Sequence, residues 1–364
     1  MVIYTNVIGG VKMKSVARMA LTPNMELGEP VLSYKGDLLY SAGTVLDKII
    51  IARLERYSIM SVMIKEPADY AVTHFEKIRI SKEFIHFEEV YTNNLNAYKY
   101  MIDTFIETGT PVNIDYLLQI HDNIFKCAHS NEYLLDMLYY MLPSEDDMTY
   151  AHTLDAALIS KVFGIWLGLS NEDIKTLTLC GFFYDIGKLK IPNSIIWKEG
   201  KLADFEFNCM KKHTTLGYDL IKHQKVNEHV LNATLMHHER LDGSGYPMHL
   251  QDEDIDVFAK YIAIVDSYDA MTSARTYRAA LNPYQVIASF EENGLERYDE
   301  SIIYPILTHI ASDQLGRTVH LSNDVTGIVM VNNPNNLSRP MVKDESDKVY
   351  DLSTLPDLSI VAIL

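Results

Sequence analysis

Histidine and aspartate side chains are the residues of this chain whose types and spacing could do chemistry. They recur at intervals of roughly one helix-turn-helix unit, as His152, Asp185, His213, the pair His237-His238, Asp266 and Asp269. Imidazole and carboxylate groups are the ligands that proteins use for iron, manganese and zinc. A helical bundle can collect such ligands from different helices into its core, although the spacing alone leaves their convergence open. The residue types therefore indicate a candidate metal centre.

Asp185 and the pair His237-His238 lie in two sequence strings. The first is YDIGK at residues 184–188, and the second is HHERLDGSGYP at residues 237–247. From about His152 to Arg278 the sequence resembles the HD-GYP family, a branch of the HD phosphohydrolases. The flanking parts of the chain are more weakly similar to the β modules of some bacterial HD-GYP proteins. The resemblance implies a metal-dependent phosphodiesterase that acts on cyclic di-GMP.

The resemblance also implies a role for each matching position. The implied metal ligands are His152, Asp185, His213, His237, His238 and Asp266. The implied substrate contacts are Lys188, Gly245, Tyr246, Arg275 and Arg278. Asp185 would bridge two metal ions, and Lys188 would lie near the reacting phosphate, so these two residues are the implied catalytic groups. For Tyr246, substrate contact and simple packing of the loop are both open.

The implied cofactor is a pair of divalent metal ions, iron or manganese. A phosphodiester resists attack because it is already anionic. Two metal ions can lower the pKa of a shared water and take up charge on the phosphate oxygens. A carboxylate has two oxygens with which to bridge two cations, and arginine offers a forked donor for phosphate. These residue types therefore suit phosphodiester hydrolysis.

One position departs from the family pattern. Family members begin the first string with His-Asp, whereas this chain has Tyr184-Asp185. A phenol has a usual pKa near ~10 and binds a metal well only when the metal displaces its proton. Three outcomes stay open: Tyr184 ligates iron as a phenolate, it swings aside and leaves a water in its place, or one metal site is lost. Some family members carry an extra acidic ligand where this chain has Met148, so we expect at most two metal ions.

Several residues near these strings have predicted supporting roles. Asp269 either orients a metal ligand or makes a local contact. Glu239 is either a structural residue of its loop, which is the favoured interpretation, or a group that supports a metal ligand. Asp155 is predicted to be solvated or to cap a helix rather than to be a ligand. Gly243 and Gly245 are predicted to permit positive φ and close backbone approach.

Helical periodicity dominates the middle of the sequence, and strand signals lie toward both ends. The predicted fold class is mainly α, an HD-type helical bundle with a small β-rich N-terminal module and a short β C-terminal extension. The predicted parts are a β-rich N-terminal module at 1–66, a helical linker region at 67–140, an HD-GYP domain at 141–312 and a β-rich extension at 313–364. Ser170 and Asn171 are predicted to begin a helix of the third part.

The composition limits the classes of partner. The chain has 364 residues and a formal net charge of −17, which argues against general binding to DNA, RNA or an anionic membrane. Phosphate binding must therefore come from locally placed cations. No apolar run approaches the ~20 residues of a membrane span, and the N-terminus lacks the features of a secretory signal. With three scattered cysteines, these features predict a cytoplasmic protein.

The leading hypothesis is a phosphodiesterase that opens cyclic di-GMP to linear pGpG and perhaps cleaves again to GMP. Two alternatives stay open. The chain could be a non-catalytic cyclic di-GMP-binding signalling protein, or a phosphodiesterase for another cyclic dinucleotide such as cyclic GMP-AMP. A homodimer through the middle helices and signalling protein partners are further hypotheses.

Overall fold

Helices make up most of the chain, and β-strands lie toward its two ends. The structure is a computed structural model. It describes residues 7–8, 11–18, 21, 25–33, 38–57, 59, 61–65, 78, 81–141, 144, 147–196, 198, 200–273, 280–293 and 297–364. These residues divide into two compact units, one formed by the described residues up to position 65 and the other by those from position 78 onward.

The described residues of the N-terminal unit form short antiparallel strands and a helix. Its strands are β1 (Val7–Ile8), β2 (Val11–Ala17), β3 (Glu26–Leu27), β4 (Val31–Leu32), β5 (Leu38–Tyr40) and β6 (Ser61–Lys65), and its helix is α1 (Lys48–Arg56). The strand order is β1-β2-β6-β3 in one sheet, and β4 pairs with β5 in a second. Side chains alternate along a strand, so β6 buries Val62 and Ile64 in a small core with Leu27 and Leu54.

The second unit is a bundle of helices followed by a sheet. Its α-helices are α2 (Lys82–Thr108), α3 (Ile114–Phe125), α4 (Asn131–Leu138), α5 (Met148–Trp166), α6 (Asn171–Phe183), α7 (Asn193–Ile196), α8 (Asp204–Lys211), α9 (His213–Ile221), α10 (Glu228–Met236), α11 (Val257–Thr272), α12 (Pro283–Asn293) and α13 (Glu300–Asp313). Short 3₁₀-helices span Ile186–Lys190, Asp252–Asp254 and Leu352–Thr354. Within the described helices, none combines the length and the apolar character needed to cross a membrane.

The centre of this unit is formed by α5 and α6. Helix α5 is buried around most of its circumference, as expected for a helix with neighbours on every side. Helix α6 begins at Ser170, whose hydroxyl accepts a hydrogen bond from the backbone N–H of Asp173 at 3.2 Å, as predicted for an N-cap. The buried faces of both helices carry the side chains that form the candidate site.

Helices α2 and α3 pack directly on this centre. Tyr98 of α2 donates a hydrogen bond to the backbone oxygen of Phe182 at 2.9 Å, and its hydroxyl lies 2.9 Å from that of Thr153. Phe87 of α2 and Leu117 of α3 belong to the same apolar core as the bundle. The region predicted as a linker therefore contributes to the core of the second unit, and the predicted domain boundaries stay a prediction.

The C-terminal strands form one antiparallel sheet that shares the core of the bundle. They are β7 (Thr318–Leu321), β8 (Thr326–Val331), β9 (Met341–Asp344), β10 (Val349–Asp351) and β11 (Ile360–Ile363), in the order β10-β9-β8-β7-β11. Val319, Leu321 and Val342 point into the apolar core that also contains the helices. The predicted fold class is confirmed: a mainly helical bundle with small β elements toward both ends.

Candidate metal centre

The predicted ligands meet in the interior of the helical bundle, where several helices begin or end. His152 lies on α5 and Asp266 on α11. Asp185 follows the last turn of α6, His213 is the first residue of α9, and His237 and His238 follow α10. Residues far apart in the chain are therefore brought together by the packing of five helices, as the bundle hypothesis requires.

These side chains form two groups that share one carboxylate. Within each group the donor atoms lie within 4.8 Å of one another. The first group, called here the His-rich half, consists of Asp185, His213, His237 and His238. The second group consists of His152, Asp185 and Asp266; together with Tyr184 it is called here the Tyr-bearing half. Because Asp185 belongs to both groups, the chain offers two adjoining cation positions.

The imidazoles of the His-rich half converge on one point. The Nε2 atoms of His213 and His237 are 3.2 Å apart. Oδ1 of Asp185 lies 3.3 Å from Nε2 of His213 and 3.7 Å from Nε2 of His237. Bonds of about 2.1 Å to one metal place neighbouring donor atoms about 3 to 3.5 Å apart. The spacing of these three atoms is therefore that of ligands to a common cation.

Backbone carbonyls fix the tautomers of the same two rings. Nδ1 of His213 lies 2.7 Å from the backbone oxygen of Met210, and Nδ1 of His237 lies 3.0 Å from that of Ala233. A carbonyl oxygen can only accept, so each Nδ1 carries the proton. In a neutral ring Nε2 then carries a lone pair. Two lone pairs aimed at each other across 3.2 Å repel unless a cation lies between them.

Burial keeps two imidazoles of this half neutral, those of His213 and His238. Desolvation lowers the pKa of His213 to about 4, although Asp185 acts in the opposite direction. Desolvation and the neighbouring His237 hold the pKa of His238 well below its usual value. Both rings therefore have a free lone pair at neutral pH, which is the form that binds metals.

Asp185 is the shared oxygen donor of the centre. Its side chain is fully buried, which by itself would raise its pKa. The ammonium of Lys188, which contacts Oδ2, and the nearby imidazoles instead hold the pKa of Asp185 well below its usual range. Oδ1 accepts no hydrogen bond from any described residue. An ionised, buried oxygen without a donor is unusual and is accounted for by a bound cation.

The hydroxyl of Tyr184 lies among the ligand atoms of the Tyr-bearing half. The side chain is fully buried, and its oxygen is 2.7 Å from Nε2 of His152 and 3.4 Å from Oδ1 of Asp266. Nε2 of His152 is in turn 3.1 Å from Oδ1 of Asp266. This geometry does not match the outcome in which Tyr184 swings aside. The outcomes of phenolate ligation and of a lost metal site stay open.

The surroundings of Tyr184 disfavour an ionised phenol in the absence of a cation. Burial, followed by the carboxylates of Asp185 and Asp266, raises the pKa of Tyr184 well above its usual value. The phenol proton therefore stays in place until a positive charge enters the site. A metal ion supplies such a charge and reverses this preference.

Asp269 orients the imidazole of His152. Its Oδ2 contacts Nδ1 of His152, while its Oδ1 accepts a hydrogen bond from the hydroxyl of Ser273 at 2.9 Å. Burial lowers the pKa of His152, but Asp269 and Asp266 more than offset this and raise it to about 9. Of the two predicted roles for Asp269, the contact fits the orientation of a ligand.

Behind this pair lies a buried contact that the sequence interpretation missed. Asp155 was predicted to be solvated or to cap a helix, which is wrong, since its side chain is buried and accepts a hydrogen bond from the hydroxyl of Tyr91 at 2.6 Å. Tyr91 lies on α2, in the region predicted as a linker. The two residues are 64 positions apart, and no sequence motif connects them.

The predicted substrate contacts have different outcomes. Lys188 lies at the centre and pairs with Asp185. Arg275 and Arg278 lie outside the described residues. The ring of Tyr246 stacks on that of His238, with centroids 4.7 Å apart and planes tilted by 25°. This stacking places Tyr246 against a predicted ligand, and both of its predicted roles stay open.

The loop that contains Tyr246 is held by its own backbone contacts. The carboxylate of Glu239 accepts hydrogen bonds from the backbone N–H groups of Met248 at 2.6 Å and Leu250 at 3.0 Å, in keeping with its structural interpretation. Gly243 has a φ of 77°, as predicted. A Cβ atom at Gly245 would lie 2.4 Å from Cα of Glu239, so only glycine allows this approach.

The donor set fits a pair of metal ions. The His-rich half supplies neutral imidazoles and a carboxylate, and the Tyr-bearing half supplies one imidazole and carboxylates. The bare Oδ1 of Asp185 and the facing lone pairs of His213 and His237 are both satisfied by a cation. A His/Asp cluster that could hold metal is therefore present, as predicted.

Comparison with known proteins agrees with this geometry. Residues 136–302 match a family model described as HD domain. A cyclic di-GMP phosphodiesterase from Pseudomonas aeruginosa is 32% identical over 204 residues, which are 56% of this chain and 49% of that protein. A 3'3'-cGAMP-specific phosphodiesterase from Vibrio cholerae is 36% identical over 147 residues, which are 40% of this chain and 34% of that protein. The chain thus spans half or less of the length of these curated relatives.

One solved structure is similar in fold to most of the chain. It is that of Bd1817, a HDG"Y"P protein from Bdellovibrio bacteriovorus, with a TM-score of 0.51 and 14% sequence identity. The match covers 82% of this chain and 99% of that chain. At this level of identity the likeness shows a shared fold.

Proposed function

We propose that this chain, whose residues 136–302 match a family model described as HD domain and whose sequence resembles the HD-GYP family, is a metal-dependent phosphodiesterase that hydrolyses cyclic di-GMP in second-messenger signalling. The products would be linear pGpG, GMP or both. The observation that carries the proposal is the position of Asp185, a buried carboxylate shared by two groups of converging metal ligands. Two adjoining cations can stabilise both the attacking and the leaving oxygen in phosphodiester hydrolysis.

The proposed cofactor is a pair of divalent ions, iron or manganese. When bound, such ions supply a nucleophilic water at neutral pH and take up charge from the phosphate. His152, His213, His237, His238, Asp185 and Asp266 would hold them. The mixture of imidazole and carboxylate donors suits either metal.

The chain's own groups would bind and orient the substrate. Lys188 places a compact positive charge beside Asp185, where it can face a phosphate oxygen. We assign substrate contacts also to Gly245, Tyr246, Arg275 and Arg278, on the family resemblance of their positions. With a net charge of −17, the chain depends on such local cations to hold an anionic ligand.

A cavity beside Lys188 supports entry of the substrate from this side. Its volume is about 230 Å³, and its polar lining comes from Lys99, Asp103, Thr149, Tyr150, Lys188 and Asn193. This volume is below the ~300 Å³ at which small-molecule pockets usually begin, so the cavity would take one part of a cyclic dinucleotide. Lys188 belongs both to the cavity and to the metal centre, which would bring a phosphate next to the ligands.

Chromatography of the reaction products tests the proposal. The purified chain, freed of metal with a chelator, is incubated with cyclic di-GMP and Fe²⁺ or Mn²⁺, beside a sample without added metal. Linear pGpG or GMP that forms only with metal is the expected result. If the folded protein forms no product with either metal, the proposal of enzymatic activity is wrong.

Two observations favour alternative functions. The similarity to a 3'3'-cGAMP-specific phosphodiesterase favours another cyclic dinucleotide, which parallel turnover of cyclic GMP-AMP and cyclic di-GMP would reveal. Tyr184, in a position where family members have histidine, favours a binding protein without catalysis. Calorimetric binding of cyclic di-GMP by a chain that forms no product would support that reading.

A further inference from the structure

We propose that Tyr184 is a metal ligand, and that the Tyr-bearing half holds a ferric ion through the phenolate oxygen of this residue. The inference rests on the metal centre of the proposed function and is independent of its substrate. It refines the proposed pair of divalent ions, because the two halves would then hold ions of different charge.

The position of the Tyr184 oxygen is the first argument. It lies 2.7 Å from Nε2 of His152 and 3.4 Å from Oδ1 of Asp266. Nε2 of His152 lies 3.4 Å from Oδ2 of Asp185, the shared carboxylate. Donor atoms of one metal are expected about 3 to 3.5 Å apart. The two 3.4 Å distances have this spacing, and the 2.7 Å distance is that of a hydrogen bond, so the Tyr184 oxygen is a fourth donor beside the three of this half.

The charge of the donors is the second argument. The Tyr-bearing half offers two carboxylates, one phenol and one imidazole, whereas the His-rich half offers one carboxylate and three imidazoles. Once the phenol proton and the Nε2 proton of His152 are lost to the buffer, three anionic oxygens and one imidazole lone pair face one cation. Hard anionic oxygen donors favour a small ion of high charge, and tyrosinate is a known ligand of ferric haem.

The fixed orientation of both ligand side chains is the third argument. Asp269 holds Nδ1 of His152, so Nε2 is directed at the Tyr184 oxygen. The ring of Tyr184 stands edge-on against His152 at 5.7 Å and against His237 at 5.0 Å between centroids, and its side chain has no exposed surface. A side chain enclosed in this way leaves its oxygen at the cation position.

A visible absorption spectrum tests the inference, since a phenolate bound to Fe³⁺ gives a charge-transfer band in the visible range and a phenol does not. The full-length chain is freed of metal with a chelator, loaded with ferric nitrilotriacetate and passed through a desalting column. We expect a visible band that grows to saturation at one ferric ion per chain. Tyr184→Phe and Tyr184→His should both lose the band.

Tyr98→Phe is the matched control. Tyr98 is also buried, but its hydroxyl is bonded to Thr153 and to the backbone of Phe182 and to none of the predicted ligands. The control should keep the band, and circular dichroism checks that every variant is folded. Resonance Raman spectra of the unmodified chain, excited in the band, should contain phenolate ring modes, which keeps the test valid if a variant fails to fold.

The outcomes separate this inference from the proposed function. Iron that is retained without a band, or a band that survives in folded Tyr184→Phe, would overturn the ligand assignment. Failure to retain any ferric ion would overturn it as well. Product analysis on the same preparations is independent, since a phenolate band without turnover upholds the ligand assignment and counts against the phosphodiesterase.

Discussion

The two halves of the metal centre share Asp185 but differ in almost every other respect. In the His-rich half, burial keeps the imidazoles of His213 and His238 neutral, and backbone carbonyls hold Nδ1 of His213 and His237 so that Nε2 is directed inward. In the Tyr-bearing half, carboxylates surround one imidazole and one phenol, and they raise the pKa of both groups. The first half would bind a divalent ion with the already neutral imidazoles of His213 and His238, whereas the second would offer its full donor set only after Tyr184 and His152 each lose a proton.

Substitution of Asp185, the shared carboxylate, should have the largest effect, because it affects both halves. Asp185→Asn keeps the size of the side chain but removes its charge, so both halves lose an anionic donor. The stabilisation that metal ions give to the transition state is several kcal/mol, so its loss should lower turnover at least about a thousandfold. Metal analysis by mass spectrometry should find both ions depleted. Asp115→Asn, an exposed change on α3, is the control and should change neither quantity. Full metal content in Asp185→Asn would contradict the bridging role.

The His-rich half can be disrupted by itself. In His213→Gln the half loses an Nε2 donor that lies 3.2 Å from that of His237. We expect divalent metal to bind at least about 100-fold more weakly, since even changes outside the ligand set cost 10–100-fold. Ferric ion in the Tyr-bearing half should stay bound, and its visible absorption band should persist. The exposed His223→Gln is the matched control. Parallel loss of both ions would mean that the halves do not bind independently.

The Tyr-bearing half should respond to the residue that orients its imidazole. Asp269→Asn keeps an oxygen near Nδ1 of His152 but removes the negative charge. We expect ferric ion to bind about 10–100-fold more weakly, with divalent binding in the other half unchanged. Titration with competing chelators measures both affinities.

Asp256→Asn is a suitable control for this change. Its Oδ2 lies 2.8 Å from Nδ1 of His229, a carboxylate–histidine pair outside the metal centre. The control should leave both affinities at their original values. Equal weakening by the two substitutions would assign the effect of Asp269 to general stability.

The difference between the halves also explains what the sequence could predict. Asp185, the pair His237-His238 and the loop lie in short local strings, and the other predicted ligands follow from a resemblance that runs from about His152 to Arg278. Helical periodicity is also a local property of the sequence, and it predicted the fold class. The direction of the Tyr184 hydroxyl depends instead on how α6 packs against α5 and α11, which no local pattern encodes.

The supporting contacts were harder to predict because they join distant segments. Tyr91 and Asp155 are neighbours only because α2 packs against α5, and a carboxylate one turn from a predicted ligand is more often solvated. The same packing makes the predicted linker part of the core. Long-range contacts of this kind follow from the tertiary arrangement and leave no trace in periodicity or motif.

The smallest expected effect concerns a residue whose structural role was predicted. Glu239→Gln leaves one oxygen acceptor for the two N–H groups of Met248 and Leu250, so one buried donor loses its partner. We expect the free energy of unfolding to fall by about 1 kcal/mol, measured by denaturant titration, because an unsatisfied donor costs about this much. Both metal affinities should be unchanged, since neither oxygen of Glu239 belongs to the ligand groups. Glu253→Gln, an exposed change in the following 3₁₀-helix, should leave stability unaltered. A weaker affinity in the His-rich half alone would instead mean that this loop positions His238 through the stacked ring of Tyr246.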